Sequence, residues 1–124
     1  LTLANRTLGF VNAPALIQLV VAELQDVSVD TSIYARRKEI ICSVLTDAGF
    51  TFTEPKGAFY VFPQTPIADD VKFVAMLQEE RILAVPGVGF GAAGHMRIAF
   101  CVPDEVIRNS AEGFKKVVAQ AQAL

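Results

Sequence analysis

The chain has 124 residues, 52% of them apolar, and its 11 basic against 13 acidic residues leave a net charge of −2. That length suits one domain with one core, and a balanced charge with no basic run beyond Arg36, Arg37 and Lys38 excludes the footprint of a nucleic-acid binder. Every apolar stretch is cut by a charge, Pro or Gly before about 18 residues, and the start lacks a basic flank, so neither a membrane span nor a secretory signal is read.

In chain order, Asn12 can cap a helix whose first turn tolerates Pro14, with Leu16, Leu19, Val20, Leu24 and Val27 on one stripe. Asp30 or Ser32 caps a second, longer helix, in which Ile33, Arg37, Ile40, Ile41, Val44, Leu45 and Ala48 recur at helical spacing until Gly49. Residues 50–53 alternate as a strand, and after the turn 54–57 the aromatic run 58–62 predicts a second strand stopped by Pro63. Pro66 opens a third helix, with Val71, Val74, Ala75 and Leu77 inward and Asp69 and Asp70 near its positive end. A short strand follows over 82–85, then a loop with four glycines over 86–94, then a last strand over 96–102. Pro103 starts a final helix lined by Ile107, Ala111, Phe114, Val118 and Ala121.

The chemistry-bearing residues are few. Cys42 and Cys101 read as buried thiols of a reducing compartment, and neither has a second Cys or a His at metal spacing, so no metal site is expected. His95 is the one histidine and reads as a solvated residue beside a turn. The glycine loop lacks the GxxxxGK[ST] pattern and precedes a strand, which argues against a phosphate cradle. Tyr60 and Phe59 read as core aromatics, and the 36–38 triplet as a solvated helix face. Arg97 falls with Ala99 and Cys101 on one face of the last strand, opposite Ile98, Phe100 and Val102. Its planar fork suits a carboxylate, and the same position suits a structural ion pair with a surface acid; the residues alone leave both open.

Three stretches in order, PKGAFYVFP at 55–63, ILAVPGVGFG at 82–91 and GHMRIAFCVP at 94–103, resemble the small domain of the class I/II, fold type I aminotransferases of the aspartate aminotransferase kind. The start, NRTLGFVNAPALIQLVVAEL, resembles the segment by which that family's chain passes from its large cofactor domain into the small one, so the resemblance covers essentially residues 1–124. It implies that Arg97 binds the substrate α-carboxylate, that Gly57 lies beside the substrate, that residues 85–90 border the entrance, and that Asn12 lies near a subunit interface.

The family's cofactor lysine sits in a Ser-x-x-Lys motif that none of Lys38, Lys56, Lys72, Lys115 or Lys116 matches. The resemblance therefore implies a C-terminal small domain without catalytic residues of its own, whose pyridoxal 5'-phosphate is bound by a large domain elsewhere. The expected fold is α+β, a small mixed or antiparallel sheet from the regions of Phe52, Tyr60, Leu83 and Ile98 under helices. The expected activity is that of a cytoplasmic, homodimeric transaminase moving an amino group between an amino acid and a 2-oxo acid, the small domain closing over the site. A lyase, decarboxylase or synthase of the same fold, or a free-standing ligand-binding domain, are the alternatives.

Overall fold

The structure, a computed structural model, describes residues 1–7, 9 and 13–123; the Asn12 cap lies outside the described residues. Two compact units divide the chain at residue 30.

The first unit holds α1 (Thr2–Thr7) and α2 (Ala15–Glu23). Helix α2 follows Pro14, whose missing N–H costs nothing at a helix start. None of its residues is buried, although Leu16, Ile17, Leu19, Val20 and Val21 make it apolar around much of its circumference.

The second unit begins with α3 (Ser32–Asp47), preceded by Thr31 rather than by either expected cap. Its stripe Ile40, Ile41, Val44, Leu45 and Ala48 is buried, as the periodicity predicts. Gly49 closes it in the left-handed conformation at φ 86°, which lets the Phe50 and Gly49 N–H groups donate to the carbonyls of Leu45 and Thr46, each at 3.0 Å.

The sheet is smaller than expected and antiparallel throughout. It contains β1 (Tyr60–Val61), β2 (Val85–Pro86) and β3 (Met96–Ala99) in the order β1-β3-β2. Tyr60 pairs with Ala99 and Val61 with Ile98 on one side of β3; Val85 pairs with Arg97 and Pro86 with Met96 on the other. Residues 50–53 form no strand. Phe50 is buried and Phe52 half-buried, and Thr51 meets a neighbour only by accepting from the Gln64 N–H at 2.9 Å. Leu83 likewise lies outside any strand and is 80% exposed.

Helix α4 (Asp70–Glu79) starts four residues later than Pro66 suggests, because Asp69 accepts the Lys72 N–H at 2.9 Å and supplies the N-cap. It buries Phe73, Val74 and Leu77 together with Asp70, while Val71 and Ala75 face outward. The C-terminal helix is two, α5 (Asp104–Asn109) and α6 (Ala111–Gln122). Ser110 divides them, its hydroxyl donating to the Ile107 carbonyl at 2.6 Å, a back-bond that bends helices. Ile107, Phe114, Val118 and Ala121 are buried as predicted, joined by Val117.

One core results, in which the Phe50 ring meets Phe73 edge-on at 6.0 Å and Phe114 at 5.7 Å. Each such ring contributes about 1.5 to 3 kcal/mol by leaving water. On the 36–38 face Arg36 is exposed while Arg37 and Lys38 are half-buried, and all three make surface ion pairs: Arg36 and Arg37 with Asp104 at the head of α5, at 2.6 and 3.3 Å, and Lys38 with Glu54 at 2.7 Å. No helix among the described residues is long and apolar enough to cross a membrane.

Candidate functional site

Strand β3 aims alternate residues at opposite surfaces. Met96, Ile98 and Phe100 are buried, whereas Arg97 is half-buried and Ala99 and Cys101 are exposed, so the face on which Arg97 falls is the one the period of two predicts.

Two rings meet its guanidinium. Tyr60, diagonal to Arg97 across the β1–β3 pair, places its ring centroid 4.6 Å from the guanidinium carbon. Phe90, at the end of the 3₁₀ turn Gly87–Phe90, places its own at 4.5 Å. A ring face attracts a cation through its quadrupole, for about 0.5 to 2 kcal/mol depending on solvent access, yet it leaves the N–H donors in the guanidinium plane unused. Arg97 has no acid in ion-pair range and no side-chain hydrogen bond among the described residues. Asp104, Glu54 and Glu80 are all engaged with other cations. The structural ion pair is therefore not made among the described residues.

The turn that brings Phe90 to this place is tightly built. Gly87 donates its N–H to the His95 carbonyl at 2.8 Å and accepts the Ala92 N–H at 3.0 Å. A Cβ at Gly87 would lie 2.3 Å from the Ala92 carbonyl oxygen, so only glycine fits. The chain then turns back to β3 through Gly91 and Gly94, both at positive φ. His95 is half-buried and stacks on Phe62 at 5.6 Å.

Gly57 lies on a separate cleft lined by Thr31, Tyr34, Lys38, Lys56 and Phe59, and nothing stands within 4 Å of where its side chain would be. Ala58 beside it is held at φ 58°, an uncommon conformation for a residue with a Cβ. Gly57 and Arg97 are linked through aromatic rings: Phe59 lines the cleft and packs against Tyr60 in a tilted pair with centroids 4.6 Å apart, and the Arg97 guanidinium carbon lies over the Tyr60 ring. Phe59 and Tyr60 are thus not core residues; they are 38% and 37% exposed. Nothing in the sequence marks Phe90 apart from the rest of its loop except an aromatic ring among glycines.

Cys42 is half-buried and Cys101 exposed, both as free thiols, so the expectation of two buried thiols fails at Cys101. Burial pushes the Cys42 thiol above its ordinary pKa.

The sequence matches the family model for aminotransferase class I and II over residues 10–114. The chain belongs to this family. It is 38% identical over 90 residues to the aspartate/prephenate aminotransferase of Thermus thermophilus, covering 71% of this chain and 23% of that protein. Among solved structures, an amino transferase from Eubacterium rectale superposes with a TM-score of 0.87 at 34% identity, over 95% of this chain and 30% of that one. The Thermus thermophilus aspartate aminotransferase with maleate does so at 0.67 and 34%, over 69% and 23%. The chain thus spans about a quarter of the length of the curated relatives it matches.

Covalent attachment of an aldehyde cofactor needs a lysine whose amine is enclosed and released from ion pairing. Lys38, Lys115 and Lys116 are paired with Glu54, Glu112 and Glu80, and Lys56 and Lys72 are exposed. The residues described here do not fit that role.

Proposed function

We propose that this chain is the C-terminal small domain of a pyridoxal-phosphate-dependent aminotransferase, cytoplasmic and homodimeric, and that Arg97 receives the α-carboxylate of its amino-acid and 2-oxo-acid substrates. The observation that carries the reading is an arginine fork on the strand next to a glycine-built turn, stacked on Tyr60 and Phe90 and without an acid of its own. Two rings packed against a guanidinium restrict its motion and so lower the entropic cost of binding, and since neither ring edge is a carboxylate the N–H donors are left for a bidentate partner. A relative of known structure is described with maleate, a dicarboxylate, which suits such a receptor.

In the complete enzyme pyridoxal phosphate, bound outside these residues, supplies the electron sink for amino transfer. Arg97 orients the substrate and selects for a carboxylate, Gly57 lets the substrate approach the backbone, and closure of this domain excludes water. On this reading the chain alone is inactive.

The test is Arg97→Ala in the complete enzyme. A bidentate, charge-assisted contact is worth on the order of 3 kcal/mol, so kcat/KM for amino acids should fall about a hundredfold or more. Lysine should rescue poorly, because a point charge cannot reproduce the fork. Amine donors that carry no carboxylate should be spared. Equal loss for amines and amino acids, or near wild-type activity, would return Arg97 to a structural role.

A further inference from the structure

Asp70 is 4% exposed, the sole charged residue that is buried among the described residues. It stands in the first turn of α4, and one carboxylate oxygen accepts the backbone N–H of Val88 at 2.7 Å. Val88 is the second residue of the 3₁₀ turn Gly87–Phe90, whose last residue lays its ring on Arg97.

A carboxylate taken out of water needs compensating donors, and a hydrogen bond to an ionised acceptor is stronger than one between neutral groups. An apolar side chain would serve the packing at this position of α4 without the cost of desolvating a charge. The bond joins parts of the chain 18 residues apart, which local helix capping does not require, since Asp69 already caps α4. Of the other anchors of the turn, the bond from the Gly87 N–H to the His95 carbonyl ties its base to the residue before β3, and the bond from the Ala92 N–H to the Gly87 carbonyl closes the loop on itself. The bond from Val88 to Asp70 ties its far side to α4.

We propose that Asp70 is a positioning residue: through the Val88 N–H it fixes the turn so that Phe90 covers Arg97 and sets the direction of the carboxylate-binding fork. The proposal rests on the reading of Arg97 as carboxylate receptor. Misplacing a substrate-orienting group by about an ångström can cost up to about a hundredfold in rate, so a tether two contacts away from the substrate is within reach of the chemistry.

The experiment uses the complete enzyme with Asp70→Ala and Asp70→Asn, assayed with an α-amino acid and with the amine that lacks its carboxylate. Asparagine keeps an acceptor oxygen of the same shape for the Val88 N–H and should stay within about threefold of wild type, whereas alanine should lose about tenfold or more in kcat/KM, for the amino acid only. A second readout needs no turnover. The Arg97 Nε–H resonance, assigned by its loss in Arg97→Lys, should carry ring-current shifts from Tyr60 and Phe90. The Phe90 share should vanish in Asp70→Ala and persist in Asp70→Asn.

If Asp70→Ala does not fold, Val88→Pro removes the same hydrogen bond from the turn side and should show the same selective loss. Amino acid and amine losing equally, or an unmoved Arg97 resonance in a folded variant, would make Asp70 a purely structural residue. Should Arg97→Ala itself spare amino-acid activity, the receptor reading fails first. A selective loss in Arg97→Ala without one in Asp70→Ala overturns the tether alone.

Discussion

Replacing Gly87 by alanine tests the turn under Phe90 with a single methyl group. The added carbon would lie 2.3 Å from the Ala92 carbonyl oxygen, 2.7 Å from that of His95 and 2.9 Å from the His95 carbonyl carbon. All three are backbone atoms, so no rotamer change relieves the clash. Overpacking of this kind costs about 1 to 3 kcal/mol, and a backbone that yields stretches the Gly87–His95 hydrogen bond, worth about 1 kcal/mol more. A loss of about 3 kcal/mol, at about 4 to 8 °C per kcal/mol for a unit of this size, lowers Tm by roughly 12 to 24 °C. Gly89→Ala is the control, since no atom stands within 4 Å of its added carbon and an exposed change stays within about 0.5 kcal/mol. Thermal unfolding followed by circular dichroism compares the two. Equal melting of both variants, or a Gly87→Ala loss below about 1 kcal/mol, would refute the close-approach argument.

Three further outcomes are expected. The Asp104 carboxyl is held below its ordinary pKa, first by the Arg36 hydrogen bond and then by Arg37, with desolvation opposing. Its stabilising contribution is complete above the unfolded value of about 3.9 and is lost as pH falls through the lower folded value. Denaturant titrations should therefore show a flatter acid limb for Asp104→Asn, and superimposable pH curves would count against the contact. Cys42, half-buried and with its thiol pushed up by desolvation, should alkylate more slowly than exposed Cys101, as peptide mass spectrometry after brief iodoacetamide treatment will show; the reverse order would contradict the burial. Because Leu16, Leu19 and Val20 are 71%, 69% and 47% exposed on α2, the 124-residue chain should bind an apolar dye or self-associate, and a chain starting at Thr31 should do so less; a monodisperse, dye-free monomer would speak against it.

Periodicity was sufficient for α3 and for the buried face of α6, because each stripe meets one continuous core. It also assigned Arg97 to the face away from Ile98 and Phe100, since a strand's alternation is local geometry. Pairing was harder to read. The alternation of Phe50 and Phe52 reports extended backbone and one-sided burial, but a strand needs a partner, and Thr51 finds only a single bond from Gln64. Helix ends were misplaced where a side chain competes with the backbone: Asp69 starts α4 late and Ser110 divides α5 from α6. The Arg97–Tyr60–Phe90 cluster draws on three separate elements, and nothing local in Phe90 or Asp70 says that a turn and a helix 18 residues apart will meet. Those contacts belong to tertiary structure alone.

The alternation along β3 also sets which changes of length this protein can accept. One residue gained or lost between Met96 and Phe100 would exchange the two faces, driving the Arg97 charge toward the apolar core and turning a buried residue out to solvent. Lengthening the connection around Gly91 and Gly94 leaves that phase untouched, because β3 is held in register by partners on both edges. Changes of length should therefore be absent from the five residues that follow His95, so the arginine's address is kept by counting in twos from the core.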